Sequence, residues 1–305
     1  MAGVKPFLSV YGHVTIDQIV SIAKFPEINE SVDIISKNTT LGGTGTNIAT
    51  AAAMLGVPTA ICAFVGDDFP SKYEDSVRAS GLIMNEMIKV KGFETSQALV
   101  VNDSEMRQKV IFYQGPQGSA SKLNISLTEN ALVSKYVHFC TGDPEYYISL
   151  MEKISGCGAS ISLDPAQEVY KGWNAESMHR AMVFSDSLFC NNYEARAIEK
   201  YLGTENVLDI EKDLVVCTEG ERGSTAKIRG ETVSIPMIKG RTFRDATGAG
   251  DAYRAGFYCG QYKGYGVLES LILASSVASF VVEEVGALTN IPTWDSVLQR
   301  ADRYL

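Results

Sequence analysis

The chain has 305 residues, of which 45% are hydrophobic and 21% charged, and a formal net charge of −9. A chain this long predicts one large domain or two ordinary ones and buries roughly 75% of its unfolded surface, so it needs no disulfide or metal staple. The acidic balance disfavours nucleic acid and anionic membrane as partners, because both demand a basic footprint. With three histidines and six cysteines, and no C-x-x-C, a zinc framework is excluded too.

The opening MAGVKPFLSV has no signal-peptide pattern. FLSVYG (7–12) reads as a first strand. Residues 13–40 contain SVDIISKNTT, which alternates polar and apolar positions as a half-solvated strand does. GTNIATAAAMLG (45–56) follows as a helix, TAICAFVG (59–66) as a strand and FPSKYEDSVRASG (69–81) as a helix. TSQALVVNDSEMRQKVIFY, within 95–114, is two extended runs around Asn102-Asp103-Ser104, a hairpin signal. KYVHFCTG (135–142), ASISLD (159–164), SLFCNN (187–192) and DLVVCTEG (213–220) are further strands. Helices YYISLMEKISG (146–156) and YEARAIEKYLG (193–203) alternate with them, and two more cover about 248–263 and 266–284.

Continuous apolar strands alternating with glycine-stopped helices predict a doubly wound, mostly parallel α/β sheet. The alternating segments 13–40 and 95–114 predict a small antiparallel lid, the whole forming one domain over 1–305. AICAFV (60–65) typifies the longest apolar runs, far short of a membrane span. Cys62 lies within such a run, Cys140, Cys190 and Cys217 each end one, and all four read as buried thiols. Together these features predict a cytoplasmic protein in a reducing compartment.

Ligands of open α/β sheets bind beyond the carboxyl ends of the strands. Polar residues collect there: Asp17 in YGHVTID, Thr141 and Asp143 in FCTGDPE, Asp164 and Gln167 in SLDPAQE, Asn191 and Glu194 in CNNYE, and Thr218, Gly220 and Gly223 in VCTEGERG. Any one of them is ordinary turn chemistry. Their convergence on one sheet edge predicts a site.

RDATGAGDAYRAGF (244–257) is the most informative stretch. Small residues before a helix let an anion approach unpaired backbone N–H groups at its positive end. Gly248, Ala249 and Gly250 therefore form a candidate anion cradle, with Asp251 in the first helical turn. A hydroxyl lying between cradle and carboxylate would give each a role. Asp251 takes the proton while the cradle stabilises a transferring phosphoryl group. Arg241, Arg244 and Arg254 fall near this site; for each the plainer expectation is a solvated surface arginine. No G-x-x-x-x-G-K-[ST] occurs, which excludes a P-loop, and LGGTGTN (41–47) lacks the third glycine of a dinucleotide fingerprint.

These residues resemble the ribokinase-like, or phosphofructokinase B, family of sugar and nucleoside kinases over nearly the whole chain. The resemblance rests on Gly42-Gly43-Thr44-Gly45-Thr46-Asn47, on Asn191-Asn192-Tyr193-Glu194, on Thr218 through Gly223 and on Asp245 through Asp251, in the family's order. It implies a three-layer α/β/α fold with a β lid and an ATP-dependent phosphotransferase. Asp251 matches the catalytic base, and Gly248, Ala249 and Gly250 the anion hole. Asp17, Gly43 and Asn47 match groups that hold sugar hydroxyls. Asn191 and Glu194 match the organisers of Mg²⁺, partly through water. Thr218, Gly220 and Gly223 match nucleotide contacts, and Asn290 lies in the loop near adenine. Asp245 matches a ligand of an optional potassium ion.

Ribokinases commonly carry lysine where Thr44 stands, which argues against free ribose as the acceptor. FCTGDPE, SLDPAQE and VASFVVEEVGALTNIPTW look most like archaeal nucleoside kinases, which implies transfer from ATP to the 5′-hydroxyl of a ribonucleoside. Asp143 and Gln167 are then candidates for the base. The rival readings are a sugar kinase of the ribose or fructose type and a non-catalytic nucleoside or nucleotide sensor. A sugar-phosphate acceptor ranks low, since the lid offers only Lys37, Arg107 and Lys109 as cations. Lids of this family often pair between subunits, so a homodimer is expected.

Overall fold

The computed structural model describes residues 4–105 and 107–305; Met106, inside the predicted lid, lies outside them. Strands β1 (Leu8–Tyr11), β2 (Thr15–Ile22) and β3 (Ile34–Gly42) lead into helix α1 (Thr44–Met54). Then come β4 (Thr59–Gly66), α2 (Ser71–Ala79), β5 (Met87–Val90) and the hairpin β6 (Gln97–Asn102) and β7 (Gln108–Tyr113). Next are β8 (Tyr136–Phe139), α3 (Pro144–Ile154), β9 (Ser160–Leu163), α4 (Ala175–Phe184), β10 (Ser187–Asn191) and α5 (Asn192–Leu202). The chain closes with β11 (Leu214–Thr218), β12 (Ser224–Ile228), β13 (Glu231–Ile235), α6 (Ala249–Tyr262), α7 (Val267–Val281) and α8 (Trp294–Ala301).

Among the described residues the strands form a nine-stranded sheet, ordered β13-β12-β11-β10-β9-β8-β1-β4-β5, and a four-stranded sheet, ordered β3-β2-β6-β7. The large sheet is parallel from β11 to β5, with β12 and β13 added antiparallel at one edge. Alternate residues of its central strands enter two separate cores. Leu8, Val10, Ile61, Ala63 and Val65 pack under α1, α6 and α7 on one face. Tyr11, Ala60, Cys62, Phe64 and Phe139 pack under α3, α4 and α5 on the other. This two-sided burial explains why these strands read as unbroken apolar runs.

The small sheet differs from the predicted lid in one respect. Its hairpin β6–β7 and the pair β2–β3 are antiparallel, but β2 and β6 run parallel. The two lid segments are therefore joined through their first strands rather than through a continuous meander. Cys62, Cys140, Cys190, Cys217 and Cys259 are buried and free, while Cys157 is exposed. No helix among the described residues is long and apolar enough to cross a membrane.

Candidate active site

The parallel strands all deliver their carboxyl ends to one edge, and α1 begins against it. Gly43 starts α1 at φ +96°, and a Cβ there would lie 2.3 Å from the carbonyl oxygen of His13. Gly45 presses on the end of β1, where a Cβ would come within 2.6 Å of the Gly12 carbonyl carbon. The first turn of α1 is thus fixed over the strand ends, with Asn47 buried in it. From the lid, Asp17 on β2 reaches the same point: a Cβ on Gly42 would be 2.1 Å from Asp17 Oδ2. Thr15 Oγ1 donates to Asp17 Oδ1 at 2.5 Å. Burial pushes the Asp17 pKa up, against that hydrogen bond.

Helix α6 arrives from the other side. Gly248 caps it at φ +76°, where a Cβ would stand 2.3 Å from Ala287 Cβ. Ala249 N donates to Ala246 O, and helix geometry leaves the amides of Gly250 and Asp251 without an intrahelical acceptor. Asn47 Nδ2 donates to Asp251 Oδ2 at 2.8 Å, tying the first turns of α1 and α6 together. Burial pushes the Asp251 pKa up to about 7, against the Asn47 hydrogen bond and the Arg254 charge. Asp17, Gly43, Asn47 and Asp251 therefore follow one another along the first turn of α1, a rise of about 6 Å from residue 43 to 47.

Asn191 and Glu194 form a capping box on α5. Asn191 Oδ1 accepts from the amides of Tyr193 and Glu194, and Glu194 Oε2 accepts from Asn191 N. Burial, then the charge of Asp164, raises the Glu194 pKa. Among the described residues no cluster of three or more His, Cys, Asp or Glu has metal-holding geometry. One carboxylate and one carboxamide suit a Mg²⁺ ion that is held mainly by water and substrate phosphates, as that ion prefers. Thr218 ends β11, and Gly220 and Gly223 turn the loop after it at φ +59° and +87°. Asp245 Oδ1 and Oδ2 accept from Thr247 N and Gly286 N, which fastens the 286–290 loop beside the start of α6. Asn290 Nδ2 donates to Phe280 O from within that loop.

The two residues offered for a base are placed differently from the rest. Asp143 caps α3: Oδ1 accepts from Glu145 N and Tyr146 N, and Oδ2 from Ser121 N and Oγ. Gln167 is exposed, while its neighbour Glu168 is buried and takes Gln114 Nε2 on both oxygens at 3.1 and 3.2 Å. Nothing local in the chain marks Glu168, because its partner Gln114 lies across the fold. The arginines also separate: Arg241 and Arg244 are exposed, Arg244 on Glu284, but Arg254 is buried against Asp164. Arg254 is therefore not the surface residue expected; its partner comes from the end of a distant strand.

The pattern of the pfkB family carbohydrate kinases matches residues 5–294. A nucleoside kinase of Methanocaldococcus jannaschii is 32% identical over 306 residues, spanning 100% of this chain and 99% of that protein. A nucleoside kinase of Methanothermobacter thermautotrophicus is 33% identical over 297 residues, spanning 96% and 94%. The crystal structure of the Methanocaldococcus jannaschii nucleoside kinase, described as an archaeal member of the ribokinase family, superposes with a TM-score of 0.90 at 31% identity, covering 99% of this chain and 100% of that one. The fold is thus ribokinase-like, an α/β architecture with a mostly parallel central sheet and a separate smaller sheet. The chain belongs to the pfkB family of carbohydrate kinases. It is an ATP-dependent phosphotransferase that acts on a nucleoside or sugar hydroxyl.

Proposed function

We propose that this enzyme transfers the γ-phosphate of ATP to the 5′-hydroxyl of ribonucleosides, with Asp251 as the general base. One observation carries the reading: a buried carboxylate with a pKa raised to about 7, held by Asn47 at 2.8 Å, in the first turn of a helix whose Gly250 and Asp251 amides have no intrahelical acceptor. A base poised near neutral pH suits proton removal from an alcohol. The relationship to nucleoside kinases at 32% and 33% identity directs the acceptor to nucleosides.

In this reading Asp17, Gly43 and Asn47 hold the ribose hydroxyls and leave the 5′-hydroxyl at Asp251. The backbone of Gly248, Ala249 and Gly250 forms the cradle for the transferring group, with Ala249 N shared with Ala246 O. Thr218, Gly220 and Gly223 take the remaining phosphates, and the loop carrying Asn290 flanks adenine. Asn191 and Glu194 would hold Mg²⁺ through water beside the phosphates, where the ion neutralises charge on the transferring group. Potassium enters only as an optional activator beside Asp245; turnover in K⁺ and in tetramethylammonium chloride at equal ionic strength decides it. The lid excludes water from the reacting groups.

The base extends along the lid. Asp17 pairs with Ala98, and Ala98 with Phe112, so these side chains share one face in a row. Phe112 stands two strands from Asp17, about 10 Å, and meets the His13 ring edge-on at 5.2 Å. Glu168 and Gln114 close that end, a better-placed polar pair than Asp143 or Gln167. Burial lowers the His13 pKa to about 4, so the ring there is neutral. The buried free thiols fit a reducing compartment, and we place the enzyme in the cytoplasm as a homodimer.

The test is a panel of nucleosides, ribose and fructose with ATP and Mg²⁺, with products identified by mass and the phosphorylated position by ³¹P–¹H correlation. The expected result is nucleoside 5′-monophosphates. Phosphorylation of free ribose or fructose alone would make the enzyme a sugar kinase, and no ADP with any acceptor would make it a sensor.

A further inference from the structure

Arg254 is one turn inside α6 and only 6% exposed, directly behind the opening residues of the helix. Its Nε donates to Asp164 Oδ2 at 2.7 Å, and Nη1 donates to Gly250 O at 3.3 Å. Asp164 is equally buried and follows β9. The guanidinium also stands 5.8 Å over the Phe189 ring on β10. Four residues further along α6, Tyr258 OH bonds His138 Nδ1 at 2.8 Å and Ser162 Oγ at 2.9 Å. His138 Nε2 returns to Asp164 Oδ2 at 3.6 Å.

A buried ion pair is costly to desolvate, and apolar residues would pin a helix to a sheet at least as well. Tyr258 already pins this helix with neutral groups. The charge of Arg254 therefore calls for a reason of its own, and its neighbours supply one. Asp164 follows β9, Glu194 projects from α5 and Asp251 lies on α6 itself, and the Arg254 charge is felt at all three. Without it three carboxylates would crowd one dry pocket.

We infer that Arg254, anchored on Asp164, is a positioning residue for phosphotransfer: it aligns the first turn of α6 through Gly250 and supplies the fixed positive charge opposite Asp251. This rests on Asp251 being the general base. Asn47 from α1, Asp164 and His138 from the sheet, Cys140 after β8, and Glu194 from α5 are the other titratable or polar groups that surround Asp251 and Arg254. Burial pushes the Asp164 pKa up, but the charge of Arg254 together with the His138 contact and the Arg254 hydrogen bond outweighs it and holds that carboxyl low, so the anchor is ionised. Asp251 itself feels opposite pulls from the pair: Arg254 lowers its pKa and Asp164 raises it.

These opposite signs make the test. Nucleoside phosphorylation is followed from pH 5 to 9 for the unaltered enzyme and for Arg254→Gln, Arg254→Lys, Asp164→Asn and Asp251→Asn, each checked for cooperative unfolding. Arg254→Gln should move the acid limb of kcat/KM upward by about one pH unit, lower kcat about 100-fold and leave nucleoside KM within about 3-fold. Arg254→Lys keeps the charge but not the fork, so the limb should stay while kcat falls about 10-fold. Asp164→Asn should move the limb downward. Should Arg254→Gln not fold, the lysine and asparagine variants decide by the same signs. Unmoved limbs with kcat within 2-fold in the variants that fold, or losses confined to KM, would overturn the inference. An active Asp251→Asn enzyme would instead overturn the base assignment, whatever Arg254 does.

Discussion

At the scale of one residue, Asp251 links function to stability with opposite signs. Its pKa stands at about 7 in the folded chain against an ordinary 3.8, chiefly through burial. The free enzyme should therefore lose kcat/KM as pH falls through about 7, because the protonated carboxyl cannot accept a proton. Asp251→Asn should lower kcat by about 10²–10⁴-fold with nucleoside affinity hardly changed. A group whose folded pKa is raised stabilises the fold fully below its unfolded value, and that contribution is lost as pH rises through the folded value. At pH 8 the native chain therefore carries the cost of a desolvated carboxylate, and Asp251→Asn removes it. Urea titration at pH 8 should show the variant more stable by about 1–3 kcal/mol, below a ceiling of about 4 set by the shift, with the gain fading towards pH 5. An unchanged midpoint at pH 8 would mean the carboxylate is well solvated. Asp251 was legible in the sequence because its small neighbours sit beside it in the chain. Arg254 was not, because Asp164 lies 90 residues away.

At the scale of the element, the start of α6 depends on a backbone conformation as much as on side chains. Gly248 holds φ +76°, and a side chain there would meet Ala287 Cβ at 2.3 Å. Gly248→Ala must absorb the left-handed conformation, about 1–2 kcal/mol, and push away the loop that Asp245 fastens through Gly286 N. We expect a loss of about 2–4 kcal/mol in stability and, on the proposed role of these amides as the phosphoryl cradle, a fall in kcat larger than any rise in acceptor KM. A variant with the parent's unfolding midpoint and kcat would show that the cradle does not need this cap. Elements were legible where burial is two-sided and helices stop at glycine. Strand β13, ETVSI, is mostly solvated and β5, MIKV, only half-buried, so neither shows a continuous apolar run. Helices α4 and α8 are short, with capping residues Asn174 and Thr293 ahead of them but no glycine stop, and they pass for loop in a scan that relies on such stops.

At the scale of the whole molecule, the lid poses the remaining problem. That 13–40 and 95–114 form one sheet followed from their alternation, but the parallel pairing of β2 with β6 did not, because strand order across a gap is fixed by tertiary packing rather than by local pattern. The resulting sheet has two open edges, β3 and β7. One face carries Asp17 and Phe112, the side on which the acceptor is proposed to lie. The other carries Ile16, Leu99, Ile111 and Tyr113 among Gln18, Gln97 and Thr39, with Ile111 65% and Tyr113 46% exposed, while Leu41 at its inner end packs against the core. Lys37 and Lys109 flank these residues, from strands β3 and β7. A partly apolar face between open edges is a surface that a second lid can cover, and pairing two identical lids buries both copies at once. Sedimentation equilibrium at micromolar concentration should therefore give twice the mass of the chain. Ile111→Glu places a charge on the exposed edge-strand side of that face without touching α1, α6 or the strand ends, so it should return the enzyme to a monomer. If the partner also steadies the lid over its substrate, the same variant should raise nucleoside KM several-fold while kcat at saturation changes little. A monomeric parent enzyme would remove the pairing, and a dimer unaffected by Ile111→Glu would move it to another surface.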